Sequence, residues 1–334
     1  MAEDVVEIWR GETIESRHRI SVAICDASGH LRAYGGQPDL VMYARSAIKP
    51  LQALPLVEDG VADQFAFTAA ELALCCASHS GEPRHIDAAQ SILRRIGADE
   101  SALACGPHAP YHEKSAHALR DAGREPTRIH NNCSGKHGGM LALARFHGWP
   151  LSGYHRLEHP VQQRMLREVS RWTELTSDEI ETAIDGCGVT TFAASLSSFA
   201  AAFARLAMAA RRGDTGPARI VSAMATNPEY VGGTGRLCTE LMRATSARLF
   251  VKVGAEGVWL AGVPGAELGI ALKVEDGAQR AAEPALINVL RGLQLLSDDE
   301  MAALAHFAEP VLRNTRGETV GMIRTSLKLE PAGG

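Results

Sequence analysis

The sequence predicts an α+β fold: a mostly antiparallel sheet built from strands at both ends of the chain, packed on helices that fill its middle. Three observations carry this expectation. Residues 18–36, "HRISVAICDASGHLRAYGG", alternate apolar and polar residues on either side of Asp26-Ala27-Ser28-Gly29, the pattern of a hairpin. Residues 248–277, "RLFVKVGAEGVWLAGVPGAELGIALKVEDG", alternate again with glycine breaks, as successive antiparallel strands do. Between them the apolar spacing is that of helices, and strands segregated from helices argue for α+β rather than a parallel βαβ sheet.

Taken in order, residues 46–60 read as a helix closed by Asp59-Gly60, with Leu51, Leu54 and Leu56 on its buried side. Residues 68–83, "TAAELALCCASHSGEP", read as a helix ending in a tight turn that holds Ser78, His79, Ser80 and Gly81. Residues 84–100 form an amphipathic helix stopped by Gly97, and a Pro/His-rich connector covers 105–117. "NNCSGKHGGMLALARFHG" (131–148) reads as a glycine-rich turn feeding a helix that Gly148 ends. Residues 159–173 and 176–184 are helical by pattern, the second with Thr176 or Ser177 as N-cap. "DGCGVTTFA" is a second glycine-rich turn entering a long alanine-rich helix, and 299–312 gives one or two further helices. No internal repeat or low-complexity linker divides the chain. The expectation is one domain over 1–327, with room for two lobes, and a frayed tail at 328–334.

Composition narrows the function. The chain has 334 residues, 46% hydrophobic and 22% charged, with a formal charge of -5, so nothing favours binding to nucleic acid. No stretch reaches the roughly 18 uninterrupted apolar residues of a membrane span, and the first residues lack the charged-then-apolar pattern of an export signal. A cytoplasmic protein is expected. The seven cysteines (25, 75, 76, 105, 133, 187 and 238) are then free thiols by default, most of them small buried hydrophobes.

Chemistry concentrates in a few places. In "RSAIKPLQ", Ser46 and Lys49 stand three apart, so on a helix they share a face. Pro50 is tolerated only in a first turn, which puts Ser46 at the helix start, where the dipole favours a developing oxyanion and disfavours a lysine cation. A partly buried lysine there can serve as base to the serine. By itself the pair reads more readily as an N-cap beside a solvated lysine. Ser78 on its turn could relay a proton or merely cap a helix. Lys252 lies on a strand otherwise apolar or glycine, where edge protection is the commoner reason for a lysine. Cys133 and Cys187, in "HNNCSGKHGG" and "DGCGV", could hold a soft metal such as zinc with a nitrogen from His137 or a neutral Lys136. Alternatively Cys133 is a nucleophile activated by Lys136 or His137, or both cysteines are structural.

Read together and in this order, "RSAIKPLQ", "CASHSGEPRH", "NNCSGKHGGML", "EHPVQ", "DGCGV", "GGTGRLCTELM" and "KVGAEGV" resemble the Rhizobium etli-type L-asparaginases, over roughly residues 8 to 325. The resemblance implies a fold like that of serine β-lactamases and glutaminases, a homodimer, and hydrolysis of L-asparagine to L-aspartate and ammonia. It implies two Ser–Lys pairs, Ser46 with Lys49 and Ser78 with Lys252, and a zinc site made by Cys133, Lys136 and Cys187. It leaves Asn131 and Asp185 to touch the metal ligands or the substrate, and Cys238 as a nearby thiol without an assigned role. Arg45 and His79 complete the expected substrate contacts, Arg45 because a guanidinium matches a carboxylate. Three other readings stay open: a glutaminase, a β-lactam-recognising serine hydrolase (against which no Lys-Thr-Gly triplet occurs on a late strand), and a non-enzymatic zinc or redox module.

Overall fold

The computed structural model describes residues 5–332. The described residues divide into two compact units, one made of residues 5–47, 194–208 and 240–332, the other of residues 48–193 and 209–239. The α+β expectation holds, with the strands gathered from both chain ends into the first unit and most helices in the second.

The sheet unit is a nine-stranded, all-antiparallel sheet. Its main path runs Val311–Arg313, Thr319–Thr325, Val5–Arg10, Thr13–Asp26, Leu268–Val274, Val258–Val263 and Phe250–Gly254. Leu31–Gly35 pairs with Thr13–Asp26, closing the expected hairpin where Gly29 takes a left-handed conformation. Helices cover this sheet by close approach at glycine. A Cβ on Gly269 would lie 1.9 Å from Ala200 O, so only glycine lets the alanine-rich helix Leu196–Arg212, which belongs to this unit through Met208, settle so near the strand. Gln279–Gly292 is a second helix here, and nothing in the sequence reading announced it.

The helical unit packs Lys49–Glu58, Ala69–Cys75, Pro83–Arg95, Ser134–Phe146, Pro160–Thr173 and Thr215–Thr226 around an apolar interior. Thr68 and Glu71 close a capping box at the start of Ala69–Cys75: Glu71 N donates to Thr68 Oγ1 at 3.2 Å and Thr68 N to Glu71 Oε2 at 2.7 Å. No helix of the described residues is long and apolar enough to cross a membrane.

Several expectations need correction. Residues 176–184 are not a helix: Ser177–Glu179 is a single 3-10 turn, and Glu181–Ile184 is a strand paired with Thr190–Ser195. Thr176 spends its cap on that one turn, Glu179 N–H reaching Thr176 O, and Gly188 at positive φ then reverses the chain. The helix after the second glycine turn accordingly starts at Leu196, β-branched Thr190 and Thr191 having joined the strand. Gly135, Gly138 and Gly139 are not a turn but lie inside Ser134–Phe146, while Gly148, at positive φ, ends that helix as expected. The Pro/His connector ends in a helix, Glu113–Asp121. The tail is paired as far as Pro331, Glu330 facing Tyr34 and Pro331 facing Ala33, while residues 333–334 lie outside the described residues.

Candidate active site

The helix Ser134–Phe146 explains much of the site, because its glycines let it sink into the helical unit. A Cβ on Gly135 would stand 2.4 Å from Leu74 O, and one on Gly138 would stand 2.9 Å from Ile92 Cγ2. Pressed against its neighbours in this way, the helix starts just after Cys133 and carries Lys136 fully buried within its first turn. Asn131 fixes the approach: its Oδ1 accepts from Cys133 N at 2.9 Å, and its Nδ2 donates to Gly106 O at 2.9 Å. Both ends of the Asn131 amide are thus engaged by the backbone.

Cys187 comes from the glycine-rich hairpin turn. Lys136 Nζ lies 3.0 Å from Cys187 Sγ, and Asp185 Oδ2 stands 3.8 Å from the same sulfur. The two thiols titrate far apart. A hydrogen bond from Cys133, helped by the Lys136 cation, pulls Cys187 down to about 5 against the effect of burial. The same hydrogen bond and burial push Cys133 up to about 12. Burial alone would lower Lys136, but the adjoining charges of Cys187, Cys133 and Asp185 hold it above its ordinary value. These shifts favour a thiolate on Cys187 beside the Lys136 ammonium, with the proton kept on Cys133. His137, the other nitrogen the spacing allowed, pairs its Nδ1 with Tyr154 OH at 2.5 Å instead.

The second cluster in this unit centres on Lys49. It opens Lys49–Glu58 with Pro50 in the first turn, three residues after the expected start at Ser46, which lies in a preceding 3-10 turn, and it is 1% exposed. Lys49 Nζ donates to Ser78 Oγ at 3.0 Å, to Cys133 Sγ at 3.2 Å and to the Ala77 carbonyl. One amine therefore touches both the serine turn and the thiol cluster. His79, expected to meet substrate, is fully spent inside the protein. Gly81 N donates to its Nδ1 at 3.2 Å, which puts the ring proton on Nε2, 2.9 Å from Ser134 Oγ. Burial, reinforced by His85 and Lys49, keeps it neutral.

The sheet unit holds Arg45, Ser46 and Lys252. Ser46 lies half-buried in the 3-10 turn Arg45–Ile48, and Arg45 before it has φ of 50°, a left-handed backbone that non-glycine residues rarely adopt. Lys252 is 0% exposed in Phe250–Gly254, with Nζ 2.7 Å from Val253 O, so it is no edge-protecting lysine. Two residues on, Gly254 faces the same side of the sheet, and a Cβ there would be 2.8 Å from Ala44 O and 3.3 Å from Ala47 N. The face bearing Lys252 is thus the face that backs the Ser46 turn.

Sequence reasoning missed Glu82, Thr234 and Tyr154. Glu82 is buried with its oxygens on Thr234, and Tyr154 OH accepts from Ala104 N at 2.9 Å while meeting His137. "GGTGR" stood in the motif series without a role; no local pattern marks Tyr154. A surface groove of about 410 Å³, lined by Gly81, Pro83, Ile86, Pro110 and His130 among others, contains none of the predicted site residues.

As a metal site the cluster offers two cysteine sulfurs and one lysine nitrogen. Among the described residues no group of three or more His, Cys, Asp or Glu is placed to hold a metal ion. Lys136 Nζ, 3.0 Å from Cys187 Sγ, offers a third donor, and a soft set of two sulfurs and an amine would fit zinc once Cys133 and Lys136 gave up protons.

The family model for L-asparaginase II matches residues 6–325. No curated protein matches. Among solved structures the chain is similar to Mglu in its native form at 4.3 M NaCl, at 17% identity over 83% of this chain and 61% of that one, with a TM-score of 0.37. It is also similar to a β-lactamase from Mycobacterium bovis, at 17% identity over 86% of this chain and 95% of that one, with a TM-score of 0.36. The chain spans about three fifths of the length of Mglu.

Proposed function

The chain belongs to the L-asparaginase II family and is a hydrolase, and from that premise we propose that it hydrolyses the side-chain amide of L-asparagine through its Ser–Lys side chains. The observation that carries the reading is the contact of Lys49 Nζ with Ser78 Oγ at 3.0 Å: a wholly buried amine spent on a serine hydroxyl. A lysine so placed costs stability, and chemistry is the common reason to retain one.

Ser46 Oγ attacks the amide carbon and Lys49 takes its proton. Ser78, hydrogen-bonded to Lys49, passes a proton to the departing ammonia and later helps activate water. Lys252 is the second amine, set on the face behind the Ser46 turn, and is the partner proposed for Ser78. Backbone N–H groups at the helix start hold the oxyanion. Arg45 takes the substrate carboxylate as a guanidinium–carboxylate pair, and Asp185 the α-amino group. Asn131 and His79, both tied to the protein interior, shape the walls. Cys133, Lys136 and Cys187 would hold zinc, which when bound supplies a fixed cation for orienting polar substrate groups. A homodimer belongs to the same reading.

The test is ammonia release from L-asparagine, with L-glutamine and a chromogenic β-lactam in parallel, on the wild type and Ser46→Ala. The expected result is release from asparagine that Ser46→Ala abolishes without unfolding. Turnover of the β-lactam alone would move the reading to another hydrolase class, and normal activity in Ser46→Ala would remove the nucleophile.

A further inference from the structure

Glu82 is a carboxylate only 3% exposed, and the proposed mechanism does not use it. Its oxygens point at one residue from a distant part of the same unit. Thr234 N donates to Oε1 at 2.6 Å and Thr234 Oγ1 to Oε2 at 3.1 Å, with Arg84 Nε 3.2 Å from Oε2 at the surface side. The contact belongs to a row. Ser78 N donates to Val231 O at 3.1 Å, Ser80 Oγ donates to Gly232 O at 3.0 Å, and Glu82 accepts from Thr234. Residues 78, 80 and 82 are thereby fastened in turn to residues 231, 232 and 234. Residue 79 faces the other way: His79 N donates to Asn132 O at 3.1 Å, and His79 Nε2 reaches Ser134 Oγ.

The turn that presents Ser78 is therefore held from two sides, and Glu82 closes the row at its open end. The geometry leaves no slack there. Gly233 has φ of 120°, and a Cβ on it would fall 2.7 Å from both Glu82 Oε1 and Ser80 Oγ. A carboxylate suits the place because it only accepts, and it meets two donors that belong to one residue. Burying that charge is costly unless hydrogen bonds satisfy it, and here they do.

We propose that Glu82, through Thr234, is a positioning residue that fixes the Ser78 hydroxyl against Lys49. Without it the row keeps only its Ser78 and Ser80 bonds, residues 232–234 draw away from the turn, the Ser78 N–H to Val231 bond loosens, and the Ser78 hydroxyl loses its register on Lys49 Nζ. The role is geometric. A glutamine keeps one acceptor for Thr234 N–H, and its NH2 can donate to the Thr234 hydroxyl, which rotates to suit. An aspartate, one methylene shorter, cannot span the gap. The kinetic part of this inference rests on the Ser–Lys reading above; the structural part does not.

The experiment takes the full chain as wild type, Glu82→Ala, Glu82→Gln and Gly233→Ala. It measures hydrogen exchange over peptides covering 77–82 and 231–236, together with kcat and KM on L-asparagine. Glu82→Ala should speed exchange of the Ser78 amide tenfold or more and cut kcat tenfold or more, with KM changed less than threefold. Glu82→Gln should return both to within threefold of wild type. Gly233→Ala, which wedges the same contact, should behave like Glu82→Ala and carries the test if that variant fails to fold. Exchange and kcat within twofold of wild type in the wedge or alanine variant overturn the proposal, and so does a glutamine variant as impaired as alanine. If the wild type leaves asparagine untouched, the functional reading fails, and exchange at Ser78 still decides whether the contact holds the turn.

Discussion

Replacing Gly135 by alanine tests whether the thiol–lysine cluster depends on close helix packing. The new Cβ would stand 2.4 Å from Leu74 O and 2.5 Å from Leu74 Cγ. The first of these is backbone and cannot turn aside, so Ser134–Phe146 must back away by about 1 Å. Overpacking of this kind costs about 1–3 kcal/mol, and alanine returns about 1 kcal/mol of helix propensity. A clash against backbone belongs at the upper end, so the net loss is about 2 kcal/mol. Gly138→Ala is the control. Its Cβ would meet Ile92 Cγ2 at 2.9 Å, a side-chain methyl rather than backbone, so Gly138→Ala should cost less than Gly135→Ala. Equilibrium urea unfolding followed by tryptophan fluorescence gives both numbers. Because Lys136 rides on the displaced helix, Gly135→Ala should also loosen the 3.0 Å contact with Cys187, read as slower thiol alkylation at neutral pH once the ammonium stands off. A Gly135→Ala protein as stable as wild type, or more stable than Gly138→Ala, would refute the packing argument.

Three more outcomes are expected. Changing Cys133 and Cys187 together to serine should reduce bound zinc, by elemental analysis of the purified protein, to background; undiminished zinc would end the metal assignment. Lys252→Met should abolish ammonia release yet leave the urea midpoint equal or higher, since a buried amine is replaced by an apolar chain of like length. The third concerns pH. His79 is neutral in the fold with its pKa well below 6.5, so the unfolded chain binds its proton first as pH falls. Its contribution is complete above pH 6.5 and should fall by about 1.4 kcal/mol per pH unit below that. His79→Gln should flatten the slope between pH 6.5 and 5, and a slope unchanged by the substitution would show that this histidine is not responsible.

What could be read from the sequence divides along physical lines. The hairpin over 18–36 and the strands over 248–277 were visible because period-2 alternation and glycine at positive φ are local properties. The helix at Lys49 was visible because proline in a first turn has few other uses. Residues 176–184 misled because a good N-cap promises a helix without saying how long it runs. The strand Glu181–Ile184 is made by a partner across the hairpin, which no local propensity encodes. The glycines at 135, 138 and 139 look like a loop because their reason for being small lies on Leu74, Ile92 and Cys75, more than forty residues away. The motif series singled out Cys133, Lys136 and Cys187, and the structure sets Lys136 beside Cys187. The series did not foretell that Lys49 would reach Ser78 and Cys133 at once, nor that both ring nitrogens of His79 would be consumed internally.

The shared lysine has a wider consequence. Because a single amine answers to an oxygen on one side and a sulfur on the other, whatever alters Cys133 is felt at Ser78. A reagent that caps Cys133 as a thioether would leave Ser78 chemically intact while releasing the amine that keeps it in line. Directed evolution on this scaffold would then have to retune sulfur and hydroxyl in concert, and libraries that vary either group alone should yield mostly inactive proteins.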